Sequence, residues 1–272
     1  MPETHPERKP QHEYSDLQPL TKDRAKRVVK SEKIVKVIQH FLGRHDLTGS
    51  TALDIGASTG FTVSALAATG ATAMGVDIDA SALAWARREV HGADRLFIAD
   101  GSRLPLGDES VDVVVLNHIY EHVVDPDAVL AEIKRVLAPQ GVAYLGLGNR
   151  LGVMEPHYRL PFLSWLPRAA SDHYMRLAGR GDHYYERFRT RRGLVNMCSE
   201  FVIWDYTLPV LSHPDLFGAR DMITPTMDRI PPRAWRTLVP VLPTYIWVLT
   251  PGDRQPGGTR TNPPPRRLTA RR

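Results

Sequence analysis

Cysteine is almost missing from this chain: Cys198 stands alone among 272 residues. An internal disulfide and a thiolate-rich metal site are both excluded. A lone cysteine in an apolar helical stretch reads as a small core filler rather than a nucleophile. Long apolar runs are missing too. No stretch of about eighteen apolar residues occurs, so a membrane-spanning helix is not expected. The opening MPETHPERKP is polar and lacks the apolar segment of a secretory leader. Cytoplasm, extending to the inner face of its membrane, is the expected compartment.

A basic surface is the third absence. The formal net charge is +5, but residues 251–272 carry six Arg against one Asp and account for all of it. The rest of the chain is near neutral, so nucleic acid is not the expected partner. The tail PGDRQPGGTRTNPPPRRLTARR is rich in Pro, Gly and Arg and poor in apolar residues. It is expected to be disordered, as is the polar stretch 1–19. Its functional reading is weak attachment to anionic lipid, glycan or nucleic acid. Overall, 42% apolar and 24% charged residues are ordinary for a globular protein with a sizeable core.

What is present begins with a helical pattern from Lys26, with Ile34, Val35, Ile38, Phe41 and Leu42 on one face and Gly43 as its stop. Strands and helices then alternate. TALDI (51–55) reads as a strand, TVSALAATG (62–70) as a helix, ATAMGVDI (71–78) as a strand and ASALAWARREV (80–90) as a helix. RLFIAD (95–100), VDVVVLNH (111–118) and VAYLGLG (142–148) are further strands. The near-continuous apolar run 111–118 suits a strand buried on both faces. Between the last two, Asp125 caps a helix with Pro126 at its first position and Leu130, Ile133 and Leu137 as its inner stripe. FVIWDYTL (201–208) and TYIWVLT (244–250) return to strand character, with a short helix in PPRAWRTLV between them. This alternation predicts an α/β fold, a doubly wound Rossmann-like sheet of mostly parallel strands.

Ligands in such sheets bind beyond the C-terminal ends of the strands. Asp54, Asp77 and Asp100 all fall there. Three carboxylates on one edge repel one another, and packing does not explain them. The loop Gly56-Ala57-Ser58-Thr59-Gly60 lets a ligand approach the backbone and leads into a helix N-terminus. A dinucleotide site would want G-x-G-x-x-G, but Phe61 occupies the last Gly position, and Asp54 would repel a pyrophosphate. Asp54 suits an ammonium group instead. Asp77 can accept from a ribose diol, and Asp100 from an exocyclic amine of adenine. A ligand with an amino acid, a ribose and an adenine but no phosphate is S-adenosylmethionine.

The stretch Thr51 to Gly148 resembles the class I S-adenosylmethionine-dependent methyltransferases, in particular the group that includes the ubiquinone and small-molecule O-methyltransferases. LDIGASTG, GVDID, IADGSRLPLGDESVDVVV, IYEHVVDPDAVLAEIKRVLAPQG and VAYLGLGN carry the resemblance in order. Ser58 replaces the middle Gly of the family's D-x-G-x-G-x-G. The resemblance implies a seven-stranded sheet with an antiparallel final strand. It implies cofactor contacts at Gly56, Asp77, Ile78, Asp100, Gly101 and Asn117, to which Asp54, Ala57 and Gly60 are added from the loop itself. The domain would span 20–250, with a helical insertion at 150–192 covering the site as a lid.

Relatives that methylate amino groups of nucleic acids and proteins often carry an Asn/Asp-Pro-Pro-aromatic motif after the fourth strand. Asn117-His118-Ile119-Tyr120 stands there instead, which points toward methylation of an oxygen. His122 is the first candidate for the base such an acceptor needs, and His118 the second. The other reading is that His122 only orders the loop. His118, Glu121 and His122 also resemble the spacing of a carboxylate-histidine metal cluster of some ubiquinone-type O-methyltransferases. His118 replaces a carboxylate of that pattern, and no metal is expected. The insertion has nine Arg against four acidic residues, with aromatics interleaved. It supplies His157, Tyr158, Arg159 and Tyr184 as substrate candidates, with His173 and His183 beside them. Phe162, Leu163 and Trp165 suit a greasy acceptor or a membrane surface. The expected partner is a small-molecule, sugar or lipid-linked acceptor. An RNA methyltransferase and a non-catalytic nucleoside-binding protein of the same fold are the alternatives.

Overall fold

A computed structural model describes residue 12, residues 23–223 and residues 232–269. Apart from His12, the stretch 1–19 expected to be disordered lies outside the described residues. Among the described residues one sheet has eight strands in the order β3-β2-β1-β4-β5-β7-β6-β8. They are β1 (Thr51–Ile55), β2 (Thr72–Asp77), β3 (Leu96–Ile98), β4 (Val111–Asn117), β5 (Leu137–Gly148), β6 (Val202–Asp205), β7 (Thr244–Thr250) and β8 (Arg266–Leu268). The first five run parallel to their neighbours, and β7 enters antiparallel between β5 and β6.

Strand parity divides the core in two. In β4, Val113 and Val115 face one cluster while Val114 and Leu116 face the other. The first face is covered by α1 (Arg24–Leu42), α2 (Phe61–Ala67) and α3 (Ala80–Glu89). The second is covered by α4 (Pro126–Val136) and, after a further helix α5 (Arg168–Leu177), by α6 (Arg191–Met197). The α4 cap forms as its residues dictate: the Asp125 carboxylate accepts from the amides of Asp127 and Ala128, and Pro126 takes the first turn. The core of α4 is Val129, Leu130, Ile133 and Val136.

Three expectations are corrected. The sheet has eight strands rather than seven, because residues 251–269 of the tail are ordered and include β8. Leu268 and Arg266 pair with Ile203 and Asp205 of β6. The tail had looked disordered for want of apolar residues. It is held by backbone groups instead: Gly257 N donates to Phe41 O at 2.8 Å, and the indole of Trp204 donates to Arg254 O at 2.9 Å. Second, the strand expected over 201–208 stops at Asp205. The Asp205 carboxylate accepts from Thr207 N at 3.0 Å, which turns the chain into α7 (Thr207–Ser212). Third, β5 begins at Leu137 rather than at Val142, with a register shift against β4.

The insertion is mixed rather than purely helical. Met154 and Pro161 form an antiparallel bridge, Leu163–Trp165 make a short 3-10 turn, and α5 follows. Leu160, Leu163, Met175 and Tyr184 give it a small core of its own.

Asp54 shows how strand parity sets chemistry. Its neighbours Leu53 and Ile55 face the second cluster, so its carboxylate points to the α1 side, where it is buried. Burial, with Asp77 next, pushes its pKa up to about 7 against the pull of Thr62, Lys30 and Arg27. The fold therefore favours the protonated form, and stability falls as pH rises from about 4 to about 7 and is then level. Asp54→Asn should remove this dependence. Urea unfolding should show the variant gaining on the wild type between pH 4.5 and 8, by roughly 3 kcal/mol at about 1.4 per unit. Parallel pH profiles for the two proteins would contradict it.

Candidate active site

A cavity of about 750 Å³ opens beyond the C-terminal ends of β1, β2, β3 and β4. Gly56, Asp77, Ile78, Asp100, Gly101 and Asn117 line it, as do His118, His122, His157 and Arg159. The other sequence candidates do not. Asp54 is buried on the α1 side, beside Thr62, Lys30 and Arg27. Ala57 packs inward, and a side chain at Gly60 would meet Ala93 and Ala86 rather than a ligand. Tyr158 and Tyr184 face each other edge-on at 5.8 Å within the insertion. His173 is exposed, and His183 pairs with Asp172 at 3.2 Å.

The loop after β1 is held by the strand beside it. Gly56 N and Ala57 N both donate to Val76 O, at 2.8 and 3.0 Å. Ser58 N donates to one carboxylate oxygen of Asp77 at 2.7 Å, and Asp79 N to the other at 2.9 Å. Burial nonetheless raises the Asp77 pKa, because those two amides only partly offset it. Gly56 has φ +77°, and Ser58 adopts φ 45° although it is not glycine. Asp100 accepts from the amide and hydroxyl of Ser102, both at 2.8 Å.

A further part of the lining is built from two distant segments. After β4 the chain turns through His118 at φ 57°, and His118 Nδ1 meets the buried Glu121 carboxylate at 3.1 Å. His122 Nε2 then meets His157 Nε2 of the insertion at 3.1 Å. His157 Nδ1 lies 2.8 Å from Glu155 Oε1, while the other Glu155 oxygen accepts from the amides of His157 and Tyr158. Glu155 thereby fixes the proton of His157 on Nδ1 and turns the Nε2 lone pair toward His122. Burial works against the charged form of His157, but Glu155, Glu186 and Glu121 outweigh it and raise the pKa. For His118 burial wins, with Lys30 adding to it, and the pKa falls.

Arg27 and Lys30 of α1 complete the lining and were missed in the sequence. Burial, with Arg27 beside it, pushes Lys30 down to about 8. Their i, i+3 spacing on a helix preceding β1 was the available signal. Glu155 was also missed, since nothing in EPHYR reveals that its carboxylate is buried.

Sheet order, the turn after β1 and the carboxylates at the strand ends define a Rossmann-like methyltransferase fold. Residues 53–145 match a family described as a methyltransferase domain. That stretch is similar to the class I S-adenosylmethionine-dependent methyltransferase domains. It is 37% identical over 112 residues to an uncharacterized methyltransferase of Mycobacterium ulcerans, covering 41% of this chain and 44% of that one. It is 25% identical over 170 residues to a ubiquinone biosynthesis O-methyltransferase of Pasteurella multocida, covering 57% and 65%. The chain thus spans less than two thirds of either relative. A crystal structure from Pyrococcus horikoshii shares the fold with a TM-score of 0.57 at 14% identity, covering 88% of this chain and 98% of that one.

Proposed function

We propose that the protein transfers the methyl group of S-adenosylmethionine to an oxygen of a small-molecule, sugar or lipid-linked acceptor. The observation that carries this is one cavity whose lining combines Gly56, Asp77 and Asp100 from the strand ends with His122, His157 and Arg159. The residues fit the cofactor. Gly56 leaves no side chain between ligand and loop, Asp77 and Asp100 offer carboxylates to a ribose and an adenine, and Arg27 and Lys30 face a carboxylate. Bound there, S-adenosylmethionine supplies a methyl carbon on a sulfonium for in-line displacement.

The chain's own work is to orient and to move a proton. Transfer to an acceptor hydroxyl would require that hydroxyl's proton to leave. The His122–His157 pair is placed to take it, and the Glu155 carboxylate would steady the resulting imidazolium. Phe162 and Trp165, packed edge-on at 5.1 Å and both exposed, stand with Val153 and Met154 on the outer face of the insertion. That apolar face suits a greasy or membrane-borne acceptor. No helix among the described residues is long and apolar enough to cross a membrane.

Calorimetric titration with S-adenosylhomocysteine, with NADH as control, tests the reading. Binding of the first alone is expected, and Asp77→Ala should weaken it by roughly 1–3 kcal/mol through lost charge-assisted hydrogen bonds. Binding of NADH alone would overturn it. Unchanged affinity in the variant would move the ribose elsewhere.

A further inference from the structure

We propose that Glu121, His122 and His157 form a binding site for one divalent transition-metal ion of the zinc type at the wall of the cavity. The three residues come from two segments that the sequence keeps apart. Glu121 and His122 follow β4, and His157 belongs to the insertion. One ligand atom from each lies within 4.8 Å of the others.

The geometry carries the assignment. His122 Nε2 and His157 Nε2 stand 3.1 Å apart. Two imidazole nitrogens bound tetrahedrally to one zinc at about 2.0–2.1 Å would stand roughly 3.3 Å apart, so the pair needs almost no movement to share an ion. The second observation is Glu155. It is fully buried, and its carboxylate holds His157 Nδ1 at 2.8 Å. A carboxylate on the far nitrogen orients a metal-bound histidine and raises its basicity. Here it leaves the lone pair on Nε2, the atom turned to His122.

Charge agrees. The carboxylates of Glu121, Glu155 and Glu186 all lie close enough to act on His157, so a cation beside it would have anionic neighbours. Lys30 opposes them from α1, facing Glu121. Two imidazoles and one carboxylate suit zinc or a neighbouring first-row ion, while magnesium and calcium prefer all-oxygen shells. His122 and His157 line the cavity, so a fourth coordination position would face it. With the ion bound, both Nε2 lone pairs are engaged, so an acceptor oxygen in that position would be acidified by the ion in place of the histidine base and release its proton to solvent. This last role rests on the methyl-transfer reading. The site itself does not.

The test uses the full chain after treatment with a chelator and dialysis. Titration with Co²⁺, read by its visible absorption, and with Zn²⁺, read by calorimetry, should each give one ion per chain. His157→Ala should weaken binding at least about 100-fold. Glu155→Gln, which keeps the side-chain shape, should weaken it about 10–100-fold. Far-UV circular dichroism and thermal unfolding of each variant serve as the folding check. Stoichiometric binding sensitive to both substitutions supports the site. No binding by the wild type, or equal binding by folded wild type and His157→Ala, overturns it. Loss of S-adenosylhomocysteine binding by a wild type that still takes cobalt would count against the methyl-transfer reading alone.

Discussion

Ending the chain at Gly252 should lower its stability by about 4 kcal/mol or leave it insoluble. The tail contributes at least four hydrogen bonds to the body. Gly257 N donates to Phe41 O at 2.8 Å, and Trp204 Nε1 donates to Arg254 O at 2.9 Å. His40 Nε2 meets Thr259 O at 2.9 Å, and Asn262 N donates to His213 Nε2 at 3.0 Å. Each such bond is worth about 0.5–1.5 kcal/mol net. The His40 contact also fixes its ring, since a proton on Nε2 leaves Nδ1 to accept from the Tyr206 hydroxyl at 3.0 Å. Removing β8 would bare the edge of β6, an open template for pairing between molecules. Urea unfolding of residues 1–252 beside the full chain checks the stability, and light scattering checks the edge. Where the truncated chain proves insoluble, Leu268→Asp reads the same contact, because Leu268 is the buried anchor of β8. Equal unfolding midpoints in both comparisons would make the tail dispensable.

That tail marks the limit of what was legible. Composition argued for disorder because it counts side chains, and this segment is tied down through its backbone. Gly257 and Gly258 lie against the end of α1 so closely that side chains there would meet Leu42 O or His40 O. The α/β core was legible for the opposite reason. Apolar runs such as VDVVVLN must be buried on both faces, and carboxylates that end such runs have few structural uses. Even there the reading of Asp54 failed in one respect. It lies at a strand end, but parity turns it away from the cavity, and a position in a motif does not reveal which face it serves.

The two parts of the cavity lining differ in the same way. The Gly56, Asp77 and Asp100 part is local, each residue closing its own strand, so order along the chain maps onto order along the sheet edge. The histidine part is not local. His122 and His157 are 35 positions apart and meet only because the insertion folds back over β4, where Arg187 N donates to Glu121 O at 3.2 Å. No spacing rule announces such a contact, and the sequence pattern displays only the neighbouring triplet His118, Glu121 and His122. His118 pairs with Glu121 from the side, while His157 completes the cluster.

Gly56→Ala should cost S-adenosylhomocysteine binding at least about 100-fold while leaving the protein folded. Two effects combine. At φ +77° an alanine would adopt the left-handed region at about 1–2 kcal/mol. Its Cβ would also stand 2.2 Å from Cδ1 and 2.5 Å from Cγ1 of Ile119. Ile119 can yield, but it too lines the cavity, so the space it would move into is the space the ligand needs. The two effects separate in the double variant Gly56→Ala/Ile119→Ala. If crowding of the cavity dominates, the double variant should recover most of the affinity. If the backbone term dominates, it should bind as poorly as the single variant, and thermal unfolding of both should fall by the same small amount. Calorimetry on the wild type and the two variants decides between them. Full affinity in Gly56→Ala would show that the ligand does not approach this loop, and the assignment of the β1–α2 turn as the cofactor side of the cavity would fall with it.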